Sequence, residues 1–206
     1  MAWVAYFAIG LGLSVVAGFR VFIPLFALAL AAHFEFIGLN EEFRFLADSS
    51  ALWIIGAAMF IEILAYYVPW VDNALDVFCI PIAGIMGTIF LAAILPSDLA
   101  SPATNWAIAL ITGGGIASTV GVSTAGMRAT STGTTGGLGN FVFSTFEIVC
   151  AALGAFFIYM FANHPYILLL FVLIVLLICV FVIYLTFKVI KRIFKIFFSR
   201  KCENAD

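Results

Sequence analysis

The chain has 206 residues, of which 65% are hydrophobic and 10% charged, and its formal net charge is -2. Soluble domains average about 45–50% apolar and about 25% charged. A soluble enzyme, a secreted disulfide scaffold and a disordered chain are therefore excluded, and an all-α polytopic membrane bundle is expected. The net charge decides little, but its distribution decides more. Six of the nine basic residues (Lys188, Lys191, Arg192, Lys195, Arg200, Lys201) lie at the C-terminus, and such clusters stay on the cytoplasmic side.

Residues 2–33 are apolar apart from Ser14 and Arg20. One continuous helix of that length would measure roughly 45 Å, too long to cross about 30 Å of hydrocarbon simply. Gly18-Phe19-Arg20 with Pro24 beyond predicts a break near Gly18. The segment is then either one tilted, broken span or a re-entrant hairpin. A single broken span gives six crossings with both termini cytoplasmic, and is preferred. A hairpin gives five and moves the N-terminus outside. Residues 35–48 form an acidic loop in which Arg44 is the only base. Further spans are expected over 51–69, 78–96, 105 to about 128, 140–162, and 166 to about 187. Ser49 and Ser50 are placed to cap the first of these and Pro69 to end it. Asn163-His164-Pro165 is a tight turn. Residues 1–187 form one transmembrane domain, with halves at 1–103 and 104–187. Residues 188–206 are a basic cytoplasmic tail suited to an interfacial helix on anionic lipid.

Ala17-Gly18-Phe19-Arg20 recurs as Ala125-Gly126-Met127-Arg128, and the sequence around Glu62 resembles that around Glu147. With three crossings per half, the second copy would be inverted, a recurring design of secondary transporters. In a chain rich in Ala and Gly, such matches also arise by chance.

Arg20 and Glu62 fall near the centres of their segments, where an ion costs about 2.5–3.5 kcal/mol on insertion scales. Pairing lowers that cost. Arg20 with Glu62 and Arg128 with Glu147 are the expected pairs, or the pairs cross between halves. These groups are expected to border a shared hydrated chamber at a midplane site. The bland alternative is a buried ion pair that only fixes helix register. Asp72, Asn73 and Asp76 either cap the 78–96 span or form a proton or cation site at a pathway mouth. The four cysteines and two histidines show no metal-ligand spacing, and no cofactor is expected.

The run from Thr112 to Asn140 carries Gly113-Gly114-Gly115 and many hydroxyls. Small residues allow close helix packing. From Thr130 onward the chain is polar enough to predict a loop. With Thr135, Gly136, Gly137, Asn140, Ser144 and nearby Arg128, that loop suits an anion or lipid headgroup, or Na⁺ held by hydroxyl and carbonyl oxygens. It lacks the Lys of a phosphate-binding nucleotide loop.

These residues resemble the domain of unknown function 4126 family of small bacterial polytopic membrane proteins. The resemblance rests on Gly18-Phe19-Arg20 with Pro24, on Glu62 with Pro69, Asp72 and Asp76, and on Pro81 with Gly84. It also rests on Thr135-Gly136-Gly137 with Asn140, Ser144 and Glu147. The family's last motif ends in Glu-Asp, whereas Ile148 follows Glu147 here. The resemblance implies the polytopic architecture and the polar positions, and no activity or substrate.

The expected function is a transporter or lipid flippase in a bacterial inner membrane, handling a small anionic solute or headgroup. An oligomeric channel, with the chain as homo-oligomer, is one rival. A scaffold is another, and a sealed interior with every arginine paired would favour it. No catalytic spacing or nucleic-acid surface is apparent.

Overall fold

The computed structural model describes residues 2–136 and 139–203, with the side chains of 2, 69–70, 72–74, 76–77, 134–135, 190 and 192–203 outside that description. Within it all elements are helical. They are α1 (Ala2–Ala17), α2 (Phe22–His33), a 3-10 helix (Glu41–Ala47), α3 (Ser49–Ala65), α4 (Pro69–Ile94), α5 (Pro102–Ile108), a π-helical stretch (Ala109–Gly114), α6 (Gly115–Thr135), α7 (Asn140–Met160) and α8 (Pro165–Glu203).

Among the described residues, three helices are long and apolar enough to cross a membrane: Pro102–Gly133, Asn140–Met160 and Pro165–Val189. A fourth is added if the 3-10 helix and α3, bent by 72°, count as one. Trp3–Ala17, Phe22–His33 and Phe78–Ile94 are apolar but shorter. Large side chains such as Trp53, Ile111, Val142 and Leu177 point outward, a surface that fits hydrocarbon and not water.

The chain breaks after Ala17, as Gly18 predicts, and α2 then turns back. Beside α1, Gly10 meets Leu91 and Gly12 meets Ile158, both near the C-terminal ends of their helices. Arg20, past the end of α1, reaches Ser144, near the start of α7. After α2 the chain is again level with the end of α4. Asn40 N–H donates to Ala93 O at 2.9 Å, and its side-chain amide donates to Ala92 O and Leu95 O at 2.7 and 2.8 Å. Residues 2–33 are therefore a helical hairpin whose two ends lie at one end of the bundle, the geometry of the second of the two arrangements open from sequence. Its legs measure about 24 and 18 Å at about 1.5 Å per residue. A Cβ on Gly18 would run into Val120 Cβ and Ala117 O, so the tip can seat against α6 only as glycine. Pro24 lies in the first turn of α2, where its missing N–H is tolerated.

α1 and α6 each pack against both α4 and α8. The α4–α6 seam is built from small residues: a Cβ on Gly87 would strike Gly113 O and Ala117 Cβ. Ser14 in α1 donates to Gly10 O and is also within 2.9 Å of Gly87 O.

Several expected boundaries move. α3 begins at Ser49 with Asp48 before it and ends at Ala65, and Ser49 and Ser50 make no cap. Pro69 does not end that helix but starts α4, so residues 72–76 are helical and cap nothing at residue 78. The loop expected from Thr130 is helix as far as Thr135. The hydroxyls explain this. Thr112, Thr119 and Thr130 each donate to the carbonyl four residues back, and Thr124 to the one three back. Side chains satisfied in this way leave a Thr-rich helix little exposed polarity. Gly136 closes α6 in the left-handed conformation, with φ +65° and its N–H on Thr132 O at 3.0 Å. α8 runs into the basic tail without a break, as expected, to Glu203.

Candidate functional site

The hairpin tip, α3, α6 and α7 bring the sequence-predicted charges together. Glu147 is the hub. Its Oε2 lies 3.0 Å from Arg20 Nη2. Arg128 engages it through both carboxylate oxygens, with Nε donating to Oε1 at 3.0 Å and Nη2 to Oε2. Fork-on-carboxylate pairing of this kind is the stronger form of ion pair. The three side chains are sealed, with residue exposures of 1–2%.

The expected Arg20–Glu62 pair does not form. Glu62 instead accepts the backbone N–H groups of Val21 and Phe22, each at 3.1 Å. Those N–H groups open α2, where the helix supplies no partners of its own and carries partial positive charge. The carboxylate thus caps a helix 40 residues away in sequence. Arg20 is left to the crossing pair with Glu147, while the expected Arg128–Glu147 pair is present.

Sequence reasoning missed Tyr66, one helical turn beyond Glu62 and therefore on the same face of α3. The Arg20 and Arg128 guanidinium carbons lie 3.4 and 4.6 Å from its ring centroid. Both cations therefore stack near one aromatic ring, and the Tyr66 hydroxyl hydrogen-bonds Cys79 Sγ. The i, i+4 spacing of Glu62 and Tyr66 was the available signal.

The cluster is not fully satisfied. Among the described residues, Arg20 Nε and Nη1 and Ser144 Oγ are buried with no hydrogen-bond partner. Arg20 Nη2 donates to the Ser144 carbonyl at 3.3 Å. Beside the cluster is a cavity of about 20 Å³ lined by Glu62, Tyr66, Thr124, Arg128 and Glu147 among others. That volume holds about one water. Among the described residues, the cavity beside the cluster is this small one and not the shared hydrated chamber expected from sequence.

The other predicted positions sort as follows. Asn140 is buried and donates from Nδ2 to Thr132 Oγ1 at 3.1 Å, tying the start of α7 to the end of α6. Gly136 is the helix terminator described above. Gly137 lies outside the described residues, as do the side chains of Asp72, Asn73, Asp76 and Thr135. The two arginine motifs are not structural twins, since Arg20 follows a helix break and Arg128 lies inside α6.

No curated protein and no solved structure matches the chain. A family model matches residues 7–185, nearly the whole helical bundle. The chain therefore belongs to the family described as Domain of unknown function (DUF4126).

Proposed function

We propose that the chain is an integral membrane transporter or lipid flippase that passes a small anionic solute or headgroup along a re-entrant gate, the α1–α2 hairpin. The observation that carries this reading is the hairpin tip. Irregular backbone at membrane depth is tolerated only when buried in protein or lining a hydrated path. Here the tip presents Arg20, which reaches Glu147 through one nitrogen and keeps Nε and Nη1 buried without hydrogen-bond partners among the described residues. Glu62 is committed to the start of α2 and does not engage those donors. An anion is the complementary guest. The structure is closed, so passage requires the hairpin to move.

On this reading α3, α4, α6, α7 and α8 give five crossings. The basic tail lies in the cytoplasm, and the chain start and the acidic 35–48 loop lie outside, in a bacterial inner membrane.

The test is flux of a small anion, or of a fluorescent anionic lipid, in proteoliposomes. Arg20→Ala leaves Glu147 its bidentate partner Arg128, so the variant is expected to fold. Its flux should disappear while its thermal midpoint stays near the wild-type value. A well-folded Arg20→Ala protein with unchanged flux would overturn the reading. The sealed interior and the one-water cavity favour a second reading, a scaffold whose ion cluster locks helix register. A register lock, however, is expected to satisfy its own donors, and Arg20 leaves two without partners.

A further inference from the structure

A second cavity, of about 550 Å³, lies at the end of the bundle where α2 and α4 finish. This is within the size range of small-molecule sites. It is framed by the 3-10 helix and by the segment from Ser97 to Trp106. Its charged groups are Glu41, Glu42 and Arg44. Arg44 pairs with Glu41 at 3.7 Å, which leaves Glu42 as one formal negative charge.

The remaining lining includes two aromatic rings and two side-chain amides, with Ser97 and aliphatic residues between them. Phe43 and Trp106 stand with ring centroids 6.3 Å apart at 46°. Asn40 has both amide hydrogens on Ala92 O and Leu95 O, so its Oδ1 remains as an acceptor. Asn105 donates to Pro96 O at 3.2 Å, and its own Oδ1 is buried without a hydrogen-bond partner among the described residues. Two aromatic rings, one net carboxylate and acceptors lacking donors are complementary to a donor-bearing monovalent cation. An anion meets nothing favourable here except Arg44, which Glu41 already engages.

We propose that this cavity binds an organic ammonium group, either a free amine or the amine of a zwitterionic lipid headgroup. The site is separate from the buried arginine cluster and does not depend on transport.

The test titrates the full-length detergent-solubilised protein with ethylammonium chloride against KCl at equal ionic strength, reading the thermal midpoint. In parallel, retention of phosphatidylethanolamine against phosphatidylglycerol from mixed micelles is measured by native mass spectrometry. Glu42→Gln is the test variant. Glu42 is exposed, so its substitution leaves folding intact. A saturable rise with ethylammonium, weakened at least about tenfold in the variant, supports a free-amine site. Preferential retention of phosphatidylethanolamine alone, lost in the variant, supports the headgroup as the source. No response to either amine, or a response unchanged by Glu42→Gln, overturns the proposal.

Discussion

Among the described residues, Glu147 is the carboxylate that both arginines reach, so its removal is the sharpest perturbation of the bundle. Breaking a buried ion pair by deleting one partner costs about 3–5 kcal/mol, because the other charge stays buried. Here one deletion takes a carboxylate from two guanidiniums. Both bridges share one residue, so the costs do not simply add. Total stability of about 5–15 kcal/mol would still be largely consumed. At about 2–4 °C per kcal/mol for a chain of this size, Glu147→Ala should lower the thermal midpoint by at least about 6 °C. The midpoint would be measured in detergent by tryptophan fluorescence and by labelling of the buried Cys179. Replacing Arg20, Arg128 and Glu147 together by Met removes the three charges at once, and should be neutral or stabilising by about 1–4 kcal/mol. Wild-type stability in Glu147→Ala would refute the hub. A stable triple variant that retains anion flux would refute a transport role for the cluster while leaving its structural account intact.

Three further substitutions test the supports of that cluster. Glu62→Gln replaces one carboxylate oxygen by an amide that faces a backbone donor. Losing one hydrogen bond to a charged group should cost about 1.5–3 kcal/mol, with faster amide exchange confined to Val21 and Phe22. Tyr66→Leu removes the ring beside both guanidiniums and should cost about 2 kcal/mol, whereas Tyr66→Phe, which loses only the Cys79 bond, should cost about 1 kcal/mol in the same unfolding assay. Gly87→Val pushes a branched side chain into the α4–α6 seam and should cost more than about 1–3 kcal/mol. A Gly115→Ala control, at a glycine with open space around it, should be close to neutral.

What could be seen in the sequence follows from what each signal measures. Composition fixed the class, because apolar surface on this scale fits only a membrane. The cost of intramembrane charge pointed to Arg20, Glu62, Arg128 and Glu147, and all four meet at one place. The partner of Arg20 could not be read the same way. Backbone N–H groups that are free only once α2 starts at Phe22 compete with Arg20 for Glu62, and a sequence does not display that helix end as a donor. Thr130 to Thr135 looked like loop because hydroxyl content reads as polarity. Thr130 donates back to Gly126 O and Thr132 pairs with Asn140, so part of that polarity is taken up within the helix and by α7. Residues 72–76 looked like a linker because Pro69 reads as a stop, although at the first position of a helix it is a start. The amine-complementary cavity was invisible, since it joins residues 40–44 to residues 97–106 through contacts at the ends of two helices.

The direction of the first segment is the remaining consequence, and it is testable without knowing a substrate. Asn40 is fastened to the last turn of α4, and Gly10 sits beside Leu91 in that same helix. The entry to α1 and the exit from α2 must therefore share one face of the membrane. A broken span through the same residues would put them on opposite faces, about 30 Å apart. With the native cysteines replaced, single cysteines at Trp3, Gly38 and Ser97 should all react with a membrane-impermeant maleimide added to one side. A cysteine returned at position 202 should react only from the other side. Gly38 has open space around it and Trp3 is half exposed, so each reports on sidedness rather than on burial. Labelling of Trp3→Cys from the same side as Cys202, opposite to Ser97→Cys, would mean that α1 spans. The gate proposed for the charged tip would then fall with the hairpin.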